Sequence, residues 1–321
     1  MTPLSPQPLS QYGVFEIGER GVFTVFGLRG QEPVDLIGVE YESRYSSFLH
    51  RSRELSQWFI KNKYAHSIST EHELLELIKT ELFSYTSDLI QAPAHMDGGG
   101  LEIVPHPATF EAQQALKPEY ERILRAFKHY GFNSNLGGDG IHLNVDKSLL
   151  GASIQEQRIT LAKMLLFYYR NNTFFVRVSN RTSEDDHKVD IYHQLGDSYG
   201  NLTDDELDKV FYTEKGKLLD SLESSTVLKS LGLRMNRGGR PAIEFRWFGS
   251  THDVDILMSQ IEFIHALCVY CRTNTEQDEI SLGGFCFFIS DHSKSYLHLA
   301  NRMLYFRESK ELMNNMKVLP F

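Results

Sequence analysis

The sequence predicts an α+β fold, in which two-faced strands form a sheet and helices pack against its apolar face. Segments with strand patterns and segments with helical patterns alternate irregularly along the 321 residues. Four of the strand segments carry polar residues at every second position, which gives each of them one polar and one apolar face. Capping boxes, formed by Thr70 with Glu73 and by Ser153 with Glu156, mark the starts of two helices.

The length and the composition predict one folded domain. Hydrophobic residues (41%) and charged residues (23%) are near the averages for globular proteins, which excludes extensive disorder, collagen-like repeats and coiled coils. The sequence contains no internal repeat and no clear linker. We therefore predict a single domain over residues 1–321, with its core motifs at 38–272 and a mainly helical C-terminal part at 273–321.

Charge and hydropathy limit the partners and the location of the protein. A net charge of -9 disfavours general binding to nucleic acid and to anionic membranes. Residues 1–13 lack a secretory signal pattern, and the best apolar candidate, 280–289, is too short to cross a membrane. We expect a cytoplasmic protein without a membrane span.

The three cysteines are an odd number that suits a reducing compartment better than a disulfide framework. Cys268 and Cys271 form a C-x-x-C pattern within an apolar helical run, but no second pair in the sequence completes a zinc site. We expect buried, reduced thiols there rather than redox or metal chemistry.

The N-terminal half begins with sheet. Strand patterns cover 12–17, 22–26 and 36–43, and helical patterns follow at 51–61 and from Thr70 onwards. After the glycines at 98–100, a strand at 101–104 leads into helical segments on either side of Pro118, which end near Gly131.

The C-terminal half alternates further between sheet and helix. A strand is predicted at 140–146, a helix from Ser153 to about Arg170, and another strand at 173–179. The polar stretch 181–197 is expected to be an exposed loop. A short helix at 204–212 precedes a strand at 241–248, which leads into a helix at 254–272, and the remaining residues are mostly helical.

Four of the predicted strands carry chemically capable side chains on one face. In chain order these are Glu40 and Glu42, then Glu102, then His142, Asn144 and Asp146, and finally Glu244 and Arg246. Each strand alone has an ordinary explanation, namely a solvated strand face, a structural histidine or a cross-strand ion pair. If the four strands belong to one sheet, however, its polar face collects four carboxylates, which repel one another unless cations lie among them.

The four strands together predict a site for metal and phosphate. Hard oxygen ligands suit Mg²⁺ or Mn²⁺, and such ions bind nucleotide triphosphates. Arg246 can neutralise charge on a transferring phosphoryl group. Similar help can come from Arg177, Arg181, Arg234 and Arg240. Because the sequence has no P-loop signature, carboxylate-bound metal is the remaining route to phosphate.

The order of these motifs resembles that of the amidoligase family, which is related to glutamine synthetase and to glutamate-cysteine ligase. The motifs are Gly-Val-Glu-Tyr-Glu (38–42), Leu-Glu-Ile-Val-Pro-His-Pro (101–107), Gly-Ile-His-Leu-Asn-Val-Asp (140–146) and Ile-Glu-Phe-Arg (243–246). The resemblance runs from about Gly38 to Cys271 and includes Asn236. It departs from the family at Asn144, where a second histidine is common.

The resemblance implies a curved, mainly antiparallel sheet with helices packed behind it, a glutamine-synthetase-like catalytic core that holds ATP and Mg²⁺ or Mn²⁺. It implies metal binding by Glu40, Glu42, Glu102 and Glu244. It also implies catalytic roles for His142 and for Arg246, the latter at the phosphate. The candidates for cofactor binding are Arg177, Arg181, Arg234, Asn236 and Arg240.

The activity implied is ATP-dependent ligation of a carboxylate to an amine, in which ATP first phosphorylates the carboxylate and the amine then attacks the acyl phosphate. The expected substrates are a small-molecule or peptide carboxylate and an amine. Two alternatives stay open. One is a guanidino-kinase-like phosphotransferase, which leaves a stable phosphorylated acceptor, and the other is a catalytically inactive relative that acts as a binding or assembly protein.

Overall fold

The fold is that of a computed structural model, which describes residues 11–17, 23–31, 34–44, 94–97, 100–129, 140–180, 233–235, 242–274 and 280–308. The helices predicted at 51–61 and from Thr70, the loop at 181–197 and the helix at 204–212 lie outside these residues. The single domain over the whole chain therefore stays a prediction.

The described residues contain eight strands, and every observed pairing is antiparallel. They are β1 (Tyr12–Ile17), β2 (Phe23–Leu28), β3 (Ile37–Arg44), β4 (Ala94–Asp97), β5 (Gly100–Ile103), β6 (Gly140–Asp146), β7 (Leu233–Met235) and β8 (Ala242–Gly249). The first two strands pair with each other, and the other six form one sheet in the order β4-β5-β3-β6-β8-β7. Strands that are distant in the chain, such as β3 and β6, are thereby neighbours.

Eight helices accompany the sheet within the same residues. They are α1 (Phe110–Ala115), α2 (Lys117–His129), α3 (Lys147–Leu150), α4 (Ile154–Arg170), α5 (Asn172–Ser179), α6 (Val254–Thr273), α7 (Leu282–Asp291) and α8 (Leu297–Glu308). Pro118 lies in the first turn of α2, where its missing N–H costs no helical hydrogen bond. The predicted α+β class is confirmed.

The core lies between the apolar face of the sheet and the helices. Ile141, Leu143 and Val145 alternate along β6 and are fully buried. At the centre of the helical layer, Phe263 of α6 makes edge-to-face contacts with aromatic side chains of α5, β8 and α7. One face of the sheet is therefore closed by helices, which leaves the other face for polar chemistry.

The strand predicted at 173–179 is wrong, because these residues form helix α5. Phe174, Val176 and Val178 have strand propensity, which favoured the prediction. Burial instead follows helical spacing, since Phe174, Phe175 and Val178 are all buried, and the first two contact Phe263 of α6. Strands β4 and β7 have only four and three residues, too few for a periodic pattern to predict them.

The capping box at the start of α4 is confirmed. Ser153 Oγ accepts a hydrogen bond from the Glu156 amide at 3.2 Å, and Glu156 Oε2 accepts one from the Ser153 amide at 2.9 Å. These reciprocal bonds satisfy two amides that have no partner within the helix. They also hold the first turn of α4 close to Gly151.

Gly151 is expected to be intolerant of a side chain. Its φ is 155°, and a Cβ atom there would lie 2.5 Å from the Cβ atom of Glu156 and 3.1 Å from its carbonyl carbon. We expect Gly151→Ala to lower the free energy of unfolding by roughly 1–3 kcal/mol, measured by urea denaturation. Gly283→Ala is the control, because no described atom lies within 4 Å of that Cβ position. Equal effects of the two variants would contradict the crowding.

Helix α6 corrects the expectation that no segment is long enough to cross a membrane. By length and composition alone, its 20 residues could cross a membrane. The most apolar 18-residue stretch of this helix is 83% buried inside the fold, as in the core helix of a soluble protein. Cys268 and Cys271 lie in this helix as buried, unbridged thiols, and burial raises the pKa of both.

His265, also in α6, is buried among aromatic rings. It stacks on Phe110 with 3.8 Å between ring centroids, and its Nδ1 lies 3.1 Å from the hydroxyl oxygen of Tyr296. Burial, with a smaller contribution from the positive charge of Arg272, lowers the pKa of His265 to about 3.

This histidine makes the stability of the fold sensitive to acid. Below its ordinary pKa of 6.5 the unfolded chain binds a proton at His265 that the folded chain does not accept until about pH 3. We therefore expect His265 to lower the free energy of unfolding by roughly 1.4 kcal/mol for each unit by which the pH falls between 6.5 and about 3. His265→Phe keeps an aromatic ring and should flatten the slope measured by urea denaturation at pH 7, 6 and 5. An unchanged slope would contradict the assignment.

Candidate metal centre

Three neighbouring strands bring the predicted polar residues together. In the β3–β6 ladder Glu40 lies directly opposite His142, and in the β6–β8 ladder Asn144 lies directly opposite Glu244. Residues that are directly opposite in a ladder share one face of the sheet. The common polar face predicted from alternation is therefore present for these four residues, while Leu143 is buried behind it.

Glu40, His142 and Glu244 form a compact group, whose ligating atoms all lie within 4.8 Å of one another. His142 Nδ1 lies 3.4 Å from Glu40 Oε2 and 3.5 Å from Glu244 Oε1. The side chains of His142 and Glu244 are 2% and 4% exposed, whereas that of Glu40 is 19% exposed. A ligand that enters from solvent would therefore reach this group on the side of Glu40.

Two more side chains contact the carboxylates of the group. Asn144 Nδ2 donates a hydrogen bond to Glu40 Oε1 at 2.8 Å. Arg246 Nη1 lies 3.5 Å from Glu244 Oε1. This ion pair joins two residues of a single strand, and the cross-strand ion pair that the sequence left as the ordinary explanation for Arg246 stays open.

A β-bulge in β8 interrupts the alternation beside Arg246. It lies between two pairs of the β6–β8 ladder, Leu143 with Phe245 and Ile141 with Phe248. The extra residue lets Trp247 and Phe248, although consecutive, both contact aromatic side chains of the helices. Beyond Arg246, β8 therefore presents two consecutive aromatic side chains to the helical layer.

The donor set fits a divalent cation. Two carboxylates and one imidazole suit Mn²⁺ and similar ions, while Mg²⁺ prefers oxygen ligands alone. Two carboxylates held this close repel each other, so a cation between them would lower the cost of their burial. Contacts among protein side chains alone, with no ion, are the ordinary structural alternative. Binding of Mn²⁺ distinguishes the two.

The strand register extends the polar face towards the sheet edge. Glu42 lies opposite Glu102 in the β3–β5 ladder, and Glu102 lies opposite His95 in the β4–β5 ladder. All three positions share the face of Glu40, because Glu40 and Glu42 are two residues apart on β3. Metal binding by Glu42 and Glu102 stays a prediction. His95 was missed by the sequence analysis because a four-residue strand gives little periodic signal.

Of the five residues predicted to bind the cofactor, the structure describes two, one in the sheet and one in the helical layer. Arg234 lies opposite Glu244 in the β7–β8 ladder and so shares the polar face. Arg177 lies on α5, in the helical layer, where its carbonyl oxygen accepts a hydrogen bond from Arg302 Nη2 at 2.8 Å. Cofactor binding by Arg177 stays a prediction. Arg181, Asn236 and Arg240 lie outside the described residues.

Comparison with models of known protein families finds no match to this chain, and a search of curated proteins finds no significant match. The inference about function therefore rests on the residues and on the geometry of the polar face.

Proposed function

We propose that this chain is an ATP-dependent carboxylate-amine ligase that uses Mn²⁺ or Mg²⁺, with the glutamine-synthetase-like core of the amidoligases. The observation that carries the proposal is the convergence of Glu40, His142 and Glu244 on one face of an antiparallel sheet, with Arg246 beside Glu244. These are positions at which the resemblance implies metal ligands, a catalytic histidine and a phosphate contact.

The side chains have distinct roles in this proposal. Glu40, His142 and Glu244 would hold the ion, which when bound would neutralise charge on the phosphates of ATP. Arg246 donates hydrogen bonds to oxygens of the γ-phosphoryl group as charge develops there. Its contact with Glu244 keeps the guanidinium in register with the ion, since both residues belong to the same strand.

The reaction has two steps. A carboxylate oxygen of the first substrate attacks the γ-phosphorus as the bond to ADP breaks, and the amine of the second substrate then attacks the acyl carbon. The bond between the acyl carbon and the phosphate oxygen then breaks, and the nitrogen loses a proton. The products are an amide, ADP and phosphate. The protein has to stabilise charge and position the reactants, which suits a face built from fixed strands.

The test is a screen for ADP release with Mn²⁺ or Mg²⁺ against pooled amino acids, polyamines and peptides, followed by mass spectrometry of the products. We expect equal amounts of ADP and phosphate, with a product lighter by one water than its two substrates combined. A stable phosphorylated acceptor would indicate the phosphotransferase instead, and failure to bind nucleotide with metal would indicate a binding protein. Glu244→Gln, purified identically, controls for contaminating ATPases.

A further inference from the structure

Asn144 makes a directed contact with the most exposed member of the candidate metal centre. Its Nδ2 donates to Oε1 of Glu40 at 2.8 Å, while Oε2 of the same carboxylate lies 3.4 Å from His142 Nδ1. The two carboxylate oxygens thus have different neighbours. A contact of this kind restricts rotation of the carboxylate and leaves Oε2 directed towards the imidazole.

The side-chain amide of Asn144 has one end that donates hydrogen bonds and one that accepts them, and only the donor suits a carboxylate. The amide oxygen would repel a carboxylate oxygen at hydrogen-bond distance, so only the NH₂ end can face Glu40. Asn144 is also directly opposite Glu244, so it stands between strands β3 and β8. Because it is neutral, it adds no negative charge beside the two carboxylates.

Gly38 leaves the space that Asn144 occupies. The two residues are directly opposite each other in the β3–β6 ladder. A Cβ atom on Gly38 would lie 3.3 Å from the Cβ atom of Asn144 and 3.5 Å from Cγ of Pro107. The contact with Pro107 is an ordinary van der Waals distance, but the contact with Asn144 is tight enough that the asparagine would have to shift by a few tenths of an ångström. Its position over the strand therefore depends on glycine at 38.

We infer that Asn144 is a positioning residue that orients the Glu40 carboxylate for binding a divalent cation, with Gly38 providing the room for it. This inference rests on the proposed cation site but requires no particular substrate.

The experiment measures Mn²⁺ affinity of the full chain by electron paramagnetic resonance, together with a thermal melt of each variant. We expect Asn144→Ala to weaken Mn²⁺ binding by about 10- to 100-fold, the usual effect of removing a contact that orients a metal ligand. Gly38→Ala should weaken it in the same direction by a smaller factor. Asn301→Ala, at an exposed position of α8, is the control and should bind like the wild type.

A double-mutant cycle separates positioning from direct binding. In a Glu40→Ala background there is no carboxylate to orient, so Asn144→Ala should cause little further loss of affinity. An equal loss in both backgrounds would overturn the role, and so would wild-type affinity in Asn144→Ala. If the alanine variant is unstable, Asn144→Ser serves in its place, because its hydroxyl is too short for the contact. A wild-type chain that fails to bind Mn²⁺ would overturn the proposed function as well as this inference.

Discussion

Replacing Glu244 by glutamine is expected to weaken Mn²⁺ binding by more than the roughly 10- to 100-fold that loss of a contact to a metal ligand causes. Glutamine keeps the shape of a side chain that is 4% exposed, so packing should persist while one negative ligand is lost. Millimolar Mn²⁺ should raise the melting temperature of the wild type, because it binds only the folded chain, and should leave that of the variant unchanged.

Glu121→Gln is the matched control, since it removes the same charge from an exposed carboxylate of α2. It should retain the Mn²⁺-dependent rise in melting temperature. The metal-free alternative gives the opposite pattern. If protein side chains alone stabilise the two carboxylates, Mn²⁺ will not stabilise the wild type, and Glu244→Gln will lower its melting temperature by disturbing those contacts.

Arg246→Lys is expected to reduce turnover by roughly 10- to 1,000-fold while the thermal melt changes little. Lysine keeps the positive charge beside Glu244 but loses the planar group that donates several hydrogen bonds to phosphate oxygens. Turnover is measured as ADP release with whichever acceptor the screen identifies, and the melt is measured on the same preparation.

The control for this prediction is Arg125→Lys, an arginine of α2 that is 77% exposed and forms an ion pair with Glu121. It should leave both turnover and melt unchanged. If Arg246 only neutralises Glu244, the lysine variant will turn over normally, and a lowered melting temperature would then mark the contact as structural. That result would remove Arg246 from the mechanism.

Local periodicity explains which parts of the fold were predictable. Alternation over 140–146 predicts β6 with the bounds that the structure has, because side chains on a strand face opposite sides in turn. Ser153 and Glu156 predict the start of α4, because their hydrogen bonds form within one turn of the chain. In both cases neighbouring residues carry all the information that is needed.

Residues 173–179 show where local reasoning fails. Their composition favours a strand, yet burial of Phe174, Phe175 and Val178 makes α5 the conformation observed. The bulge in β8 is a similar case. Its extra residue is defined only against the partner strand β6, so no pattern within 242–249 reveals that Trp247 and Phe248 both face the helices.

The sequence by itself determined which side chains share a face of their own strand, Glu40 on one strand, His142 on another and Glu244 with Arg246 on a third. Only the tertiary structure decided that β3, β6 and β8 are neighbours in that order. Glu40 and His142 are 102 residues apart in the chain, and strand pairing over such a separation leaves no local signal. The contact between Asn144 and Glu40 depends on the same pairing, and with it the orientation of the proposed metal ligand.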